Sequence, residues 1–139
     1  MERKSNLYSV YEDITMEDIP IAQDAFGDQY IYRNGSIYRL NLESGELENL
    51  NATLTQFLEN IEMNGIEYLS LQQIFELREL GVKLGLCEMM NVYPPFILSC
   101  EGKRSYKPIP SQEQIAFLKD FYNQIKNVKD GTVITIELK

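Results

Sequence analysis

Asn34-Gly35 stands between two β-prone, aromatic-rich runs, Gln29-Tyr30-Ile31-Tyr32-Arg33 and Ser36-Ile37-Tyr38-Arg39-Leu40. Both turn residues tolerate positive φ, which a type I′ turn demands, so the pair predicts a tight antiparallel hairpin. Glu43-Ser44-Gly45-Glu46 reads as a second turn, leading into a third strand at 47–50. The result is a three-stranded antiparallel meander. Alternation along the first strand places Tyr30 and Tyr32 on one face and Ile31 on the other.

Beyond the meander the hydrophobic period lengthens. Leu54, Phe57, Leu58 and Ile61 fall at helical spacing, Thr53 with Gln56 forms a capping box, and Asn64-Gly65 reads as a stop. Ser70 with Gln73 repeats the capping signature before a helix over 71–80 that Gly81 ends. Ser111 with Gln114 repeats it after Pro110, before a helix striped by Ile115, Leu118, Tyr122 and Ile125 and widened by Phe117 and Phe121. Lys129-Asp130-Gly131 closes that helix, and Thr132 to Leu138 alternates as a final strand.

Two regions read more weakly. Residues 1–18 are polar and acidic, with Tyr8, Val10 and Tyr11 as their main apolar content, and predict a loosely held lead-in with a short strand or turn at 7–11. Leu86 to Val92 and Phe96 to Cys100 suit two strands joined by Tyr93-Pro94-Pro95, where proline marks a turn or a sheet edge. A chain of 139 residues suits one domain and buries about two thirds of its unfolded surface without metal or disulfide. The predicted architecture is α+β, a twisted antiparallel sheet with helices packed on it, with a lead-in at 1–18 and one domain at 19–139.

The residue inventory narrows the chemistry. There is no histidine, which removes the commonest general base and most catalytic triads. Cys87 and Cys100 form no CxxC pair, so the common zinc patterns are missing, and Cys100 in its apolar stretch is expected to behave as a small hydrophobe. Two reduced cysteines in the cytosol are the preferred reading. Glu88 and Cys87 are the only candidates for an enzyme. A polar face of a strand accounts for Glu88, and no neighbouring cation in sequence activates Cys87. The expectation is a non-enzyme without metal or cofactor.

Thirteen basic residues against 21 acidic give a net charge of −8. Such a field disfavours nucleic acid and anionic membranes, where Lys and Arg must replace counterions, and speeds encounter with a basic protein. The charge serves plain solubility equally well. No signal peptide or membrane-length apolar run is apparent at this level, which points to the cytoplasm. Tyr30, Tyr32 and Tyr38 flank the tight turn, and two readings stand. Their face packs against a helix, or it is a Tyr-rich interaction surface. In the second reading Asp24 and Asp28 complete a partner-binding face.

One stretch resembles a known family. Ile19-Pro20-Ile21-Ala22-Gln23-Asp24, then Phe26-Gly27-Asp28, Tyr30-Ile31-Tyr32, Ile37-Tyr38 and Leu54-Thr55-Gln56-Phe57-Leu58 resemble the SUKH superfamily, named partly for yeast Smi–Knr-type cell-wall regulators. Gly85-Leu86-Cys87-Glu88 and Tyr93-Pro94-Pro95-Phe96, followed by an amphipathic helix, are similar to the C-terminal domain of type VI secretion immunity proteins, which also carry a Phe-Gly turn. The chain departs from full SUKH domains in lacking the Gly-Gly-Asn turn and in having too short a lead-in for their first helices. The resemblance implies a non-enzymatic protein-binding module. As an immunity protein it would neutralise a basic bacterial toxin. The alternative is an intracellular scaffold or regulatory domain for endogenous proteins, as in the eukaryotic members.

Overall fold

The computed structural model describes residues 7–69 and 71–128. Two antiparallel sheets and three helices make up an α+β fold. The larger sheet runs β1 (Ile19–Gln23), β2 (Gln29–Arg33), β3 (Ser36–Leu40) and β4 (Leu47–Asn49), each paired with the next in order. The meander therefore has four strands, because Ile19–Gln23 pairs with β2 through a bulge between Pro20 and Ala22. Asn34 and Gly35 take φ of 48° and 83°, as the hairpin requires, and Arg33 pairs with Ser36 across the turn.

Register decides which side chains share a face. Tyr30 lies opposite Arg39 and Tyr32 opposite Ile37, while Ile31 lies opposite Tyr38. The first set meets α1 (Leu54–Tyr68), where Tyr30, Ile37 and Phe57 form a buried cluster edged by Tyr32, Ile61 and Tyr68. The second set meets α3 (Ser111–Ile125) and the chain before β1, where Ile31, Leu40 and Leu42 pack with Tyr11, Leu118 and Tyr122. Both faces of the central hairpin are covered.

Residues 7–18 differ from the expected loose lead-in. Leu7, Tyr11 and Ile14 are buried, the Tyr11 hydroxyl donates to Leu42 O at 2.7 Å, and its ring lies 4.6 Å from that of Tyr122. The backbone over 7–11 makes a helical turn rather than a strand, with Tyr11 N–H bonding Leu7 O at 2.9 Å. Three apolar residues at intervals of four and three are one face of such a turn, which the surrounding acidic residues obscure in the sequence.

Helix ends follow local chemistry in part. Gln56 N–H donates to Thr53 Oγ1 at 3.2 Å and Thr53 N–H to Gln56 Oε1 at 2.9 Å, the full capping box. Asn64-Gly65 kinks α1 rather than stopping it: Asn64 leaves helical φ/ψ, and the last turn continues so that Tyr68 packs 5.7 Å from Phe57. The second helix, α2 (Gln72–Glu79), buries no residue. Its expected cap at Ser70, the α3 stop at 129–131 and the strand at 132–138 lie outside the described residues. At α3 the capping box does not form. Gln114 is drawn inward, donating to Phe26 O at 2.8 Å and accepting from Asn91 Nδ2 at 2.9 Å.

The smaller sheet corrects another expectation. β5 (Glu88–Tyr93) pairs with β6 (Ser105–Pro110), not with Phe96–Cys100. Phe96 to Cys100 forms a loop that Arg104 holds by donating to the carbonyls of Pro94 (2.7 Å), Pro95 (2.9 Å) and Leu98 (2.7 Å). Pro108 and Pro110 are tolerated because a two-stranded ribbon consists of edges. Cys100 is exposed, not packed as a small hydrophobe, and Cys87 is exposed and free as well. Among the described residues, no helix is long and apolar enough to cross a membrane.

Neighbouring positions on α1 should respond very differently to truncation. Phe57→Ala opens a cavity at the sheet–helix contact and should cost about 3–5 kcal/mol, whereas the more exposed Leu58→Ala should stay within about 0.5 kcal/mol. Urea unfolding of both variants measures the contrast.

Candidate functional site

The chain leaving β1 turns sharply at Asp24. Its Oδ1 accepts from the backbone N–H groups of Phe26 (2.9 Å), Gly27 (2.9 Å) and Asp28 (3.0 Å), and its own N–H donates to Asp28 O at 2.9 Å. A carboxylate suits this position because its oxygens only accept, and bonds from backbone N–H groups to a charged acceptor are the stronger kind. Gly27 is required twice over. Its φ is +112°, and a Cβ there would stand 2.8 Å from Leu118 Cδ1 on α3.

Arg39 closes the arrangement from β3. Its Nη2 donates to Asp28 Oδ2 at 3.0 Å and to Asp24 Oδ2 at 3.3 Å, so one guanidinium serves two carboxylates. Asp28 Oδ1 accepts from Leu42 N–H at 3.2 Å. Burial pushes the Asp24 carboxyl up to about 6, and the charge of Asp28 adds to the rise. Burial also raises Asp28. Tyr30 lies beneath, with Arg39 6.0 Å from its ring centroid, and its hydroxyl is buried without a hydrogen-bond partner.

A cleft of about 270 Å³ opens beside this cluster, lined by Asp24, Phe26, Asp28, Arg39, Glu43 and Phe96 among others. Glu43 takes the backbone N–H groups of Phe96 (3.2 Å) and Ile97 (2.8 Å), and Phe26 meets Phe96 edge to face at 5.4 Å. Every carboxylate here is committed to donors of the protein itself. The arrangement joins the hairpin, the 24–28 turn and the 94–98 loop. Among the described residues, no group of three His, Cys, Asp or Glu side chains is placed to hold a metal.

A second cleft of about 350 Å³ lies at the other end of β2, lined by Thr15, Glu17, Asp18, Ile19, Tyr32, Arg33 and Asn34. Arg33 grips Asp18 with two bonds, Nε to Oδ1 at 2.7 Å and Nη2 to Oδ2 at 2.6 Å, and Nη2 also reaches Asp13 O at 2.6 Å. This bidentate pair holds Asp18 below the usual carboxylate range and ties the N-terminal segment to the hairpin.

The five residues singled out in the sequence therefore do not form one surface. Asp24, Asp28 and Tyr30 gather about Arg39, and Asp24 and Tyr30 are buried. Tyr32 is half-buried at the second cleft, and Tyr38 lies on the opposite sheet face under the Arg33 guanidinium, 5.2 Å from its ring. The packing reading accounts for Tyr30 outright. The part that Arg39, Glu43 and Gln114 play here carries no local sequence signal, since their partners lie 11, 15, 23, 53, 54 and 88 residues away. Glu88 accepts from Gly85 N–H at 2.6 Å and so shapes the turn into β5.

Folded Asp24 keeps its proton to about pH 6, while the unfolded chain releases it near 3.8. Between these values the folded state binds more protons, so this group lowers stability as pH rises, and below about pH 4 the effect ends. Wild type should therefore lose on the order of 1–3 kcal/mol relative to Asp24→Asn between pH 4 and 6.5, read by urea titrations at each pH. Arg39→Met strands two buried carboxylates and should cost about 3 kcal/mol or more at pH 7, with partial recovery at pH 4. In comparisons with known proteins, no family model matches the chain, and no curated protein or solved structure matches it significantly.

Proposed function

We propose that the chain is a SUKH-like, non-enzymatic protein-binding module, acting in the cytoplasm as an immunity protein that captures and neutralises a basic toxin. The supporting observation is the distribution of charge. Arg33 is spent on Asp18, Arg39 on Asp24 and Asp28, and Arg104 on loop carbonyls. The two arginines of the larger sheet are thus paired with carboxylates, while Glu17, Glu46, Glu48, Glu59 and Glu62 stay exposed. Arg78, Lys83, Lys103, Lys107 and Lys126 are the exposed cations among the described residues, and at −8 overall the charge is predominantly negative. Such a field accelerates encounter with a basic surface and repels nucleic acid and anionic lipid.

A tagged pull-down from the native organism, read by mass spectrometry, tests the reading. One basic protein should appear in near-equal amount and be lost as salt is raised from low to high, since screening weakens exposed charge pairs. Several endogenous proteins held independently of salt would instead favour the scaffold reading.

A further inference from the structure

Between Arg39 and Arg78 the chain carries seven glutamates and no lysine or arginine. α1 lies wholly within that stretch. It buries Phe57 and packs Ile61 and Tyr68 against the sheet. Its flank is different. Steps of four residues put Leu54, Leu58 and Glu62 in one row, with Glu59 and Met63 in the next, and Ile66 and Glu67 follow the kink at Asn64. Leu54 is 42%, Leu58 56%, Met63 79% and Ile66 48% exposed. A lone exposed leucine needs no explanation, but four large apolar side chains on neighbouring rows of one helix do.

We propose that this flank of α1 docks a basic amphipathic helix of the partner protein. Leu54, Leu58 and Ile66 receive its apolar face, and Glu59, Glu62 and Glu67 receive its Lys or Arg side chains. The proposal rests on the basic-partner reading and names its surface. Charge selects the occupant. A second copy would set these glutamates against themselves across a two-fold axis, with no cation on α1 to relieve them. From Leu54 to Met63, before the kink, the helix spans about 14 Å, some two and a half turns, enough to present apolar anchors at i and i+4 to a partner helix.

The probe is a synthetic amphipathic Leu/Lys helix of about five turns. Its controls are the same peptide with Leu replaced by Gln and a Leu/Glu counterpart. Amide shift mapping should place the Leu/Lys peptide on α1, and the Leu/Glu peptide should leave the spectrum unchanged. Leu58→Ser/Ile66→Ser and Glu59→Lys/Glu62→Lys should each weaken binding about tenfold or more, with circular dichroism unchanged, because the substituted side chains are exposed. Shifts on another surface, equal binding of the Gln peptide, or variants that bind as wild type would each overturn the assignment. So would an unliganded dimer that Leu58→Ser/Ile66→Ser dissociates. A basic protein recovered in the pull-down and retained by both double variants would remove this surface while leaving the basic-partner reading intact. Failure of that reading shows separately, as a wild-type pull-down without a basic partner.

Discussion

The guanidinium of Arg39 fastens the turn between β1 and β2 to β3, across strands that the sheet already brings side by side. It comes from β3, yet its two carboxylates belong to the turn between β1 and β2, and one of them also takes the N–H of Leu42 beyond β3. Burying two acids together is unfavourable, which is why both carboxyls sit above their ordinary range. One cation between them, with three backbone donors on Asp24, makes the arrangement tenable. The turn then presents Phe26 O to Gln114 and Ala25 O to Met90 N–H, so α3 and β5 are positioned from the same few residues.

The same economy appears at the other end of the hairpin. Arg33 clamps Asp18 and Asp13 O, and the chain before β1 is thereby laid across the sheet where Tyr11 and Ile14 enter the core. A chain rich in acids thus uses its few arginines as internal rivets.

Local signals in the sequence were legible where the physics is local. The Asn34-Gly35 turn, the Thr53–Gln56 capping box and the amphipathic α3 all form as their residues dictate. Errors arose where distant partners overrode local preference. Gln114 was read as a cap residue but is recruited by Phe26 O and Asn91, and Asn64-Gly65 bends a helix that Tyr68 keeps in place. Asp24 and Asp28 read as part of a candidate partner-binding face with the hairpin tyrosines, because nothing in their neighbourhood announces their arginine two strands on, in β3. β6 was misplaced because its prolines argue against a strand. Leu54 and Leu58 were read as parts of the inward stripe, and helical periodicity alone cannot say that Phe57 fills that role while they face outward.

The edge strands of the larger sheet have a consequence for how this molecule meets others. β1 carries a proline and a bulge, and β4 is only three residues long. Neither edge offers the uninterrupted ladder of free amides and carbonyls on which an extended segment from another chain could be templated. The larger sheet is thereby a poor template for strand donation, whether from a partner or from aggregating copies. The exposed side chains of the helices, by contrast, can be replaced one at a time without disturbing a single sheet hydrogen bond.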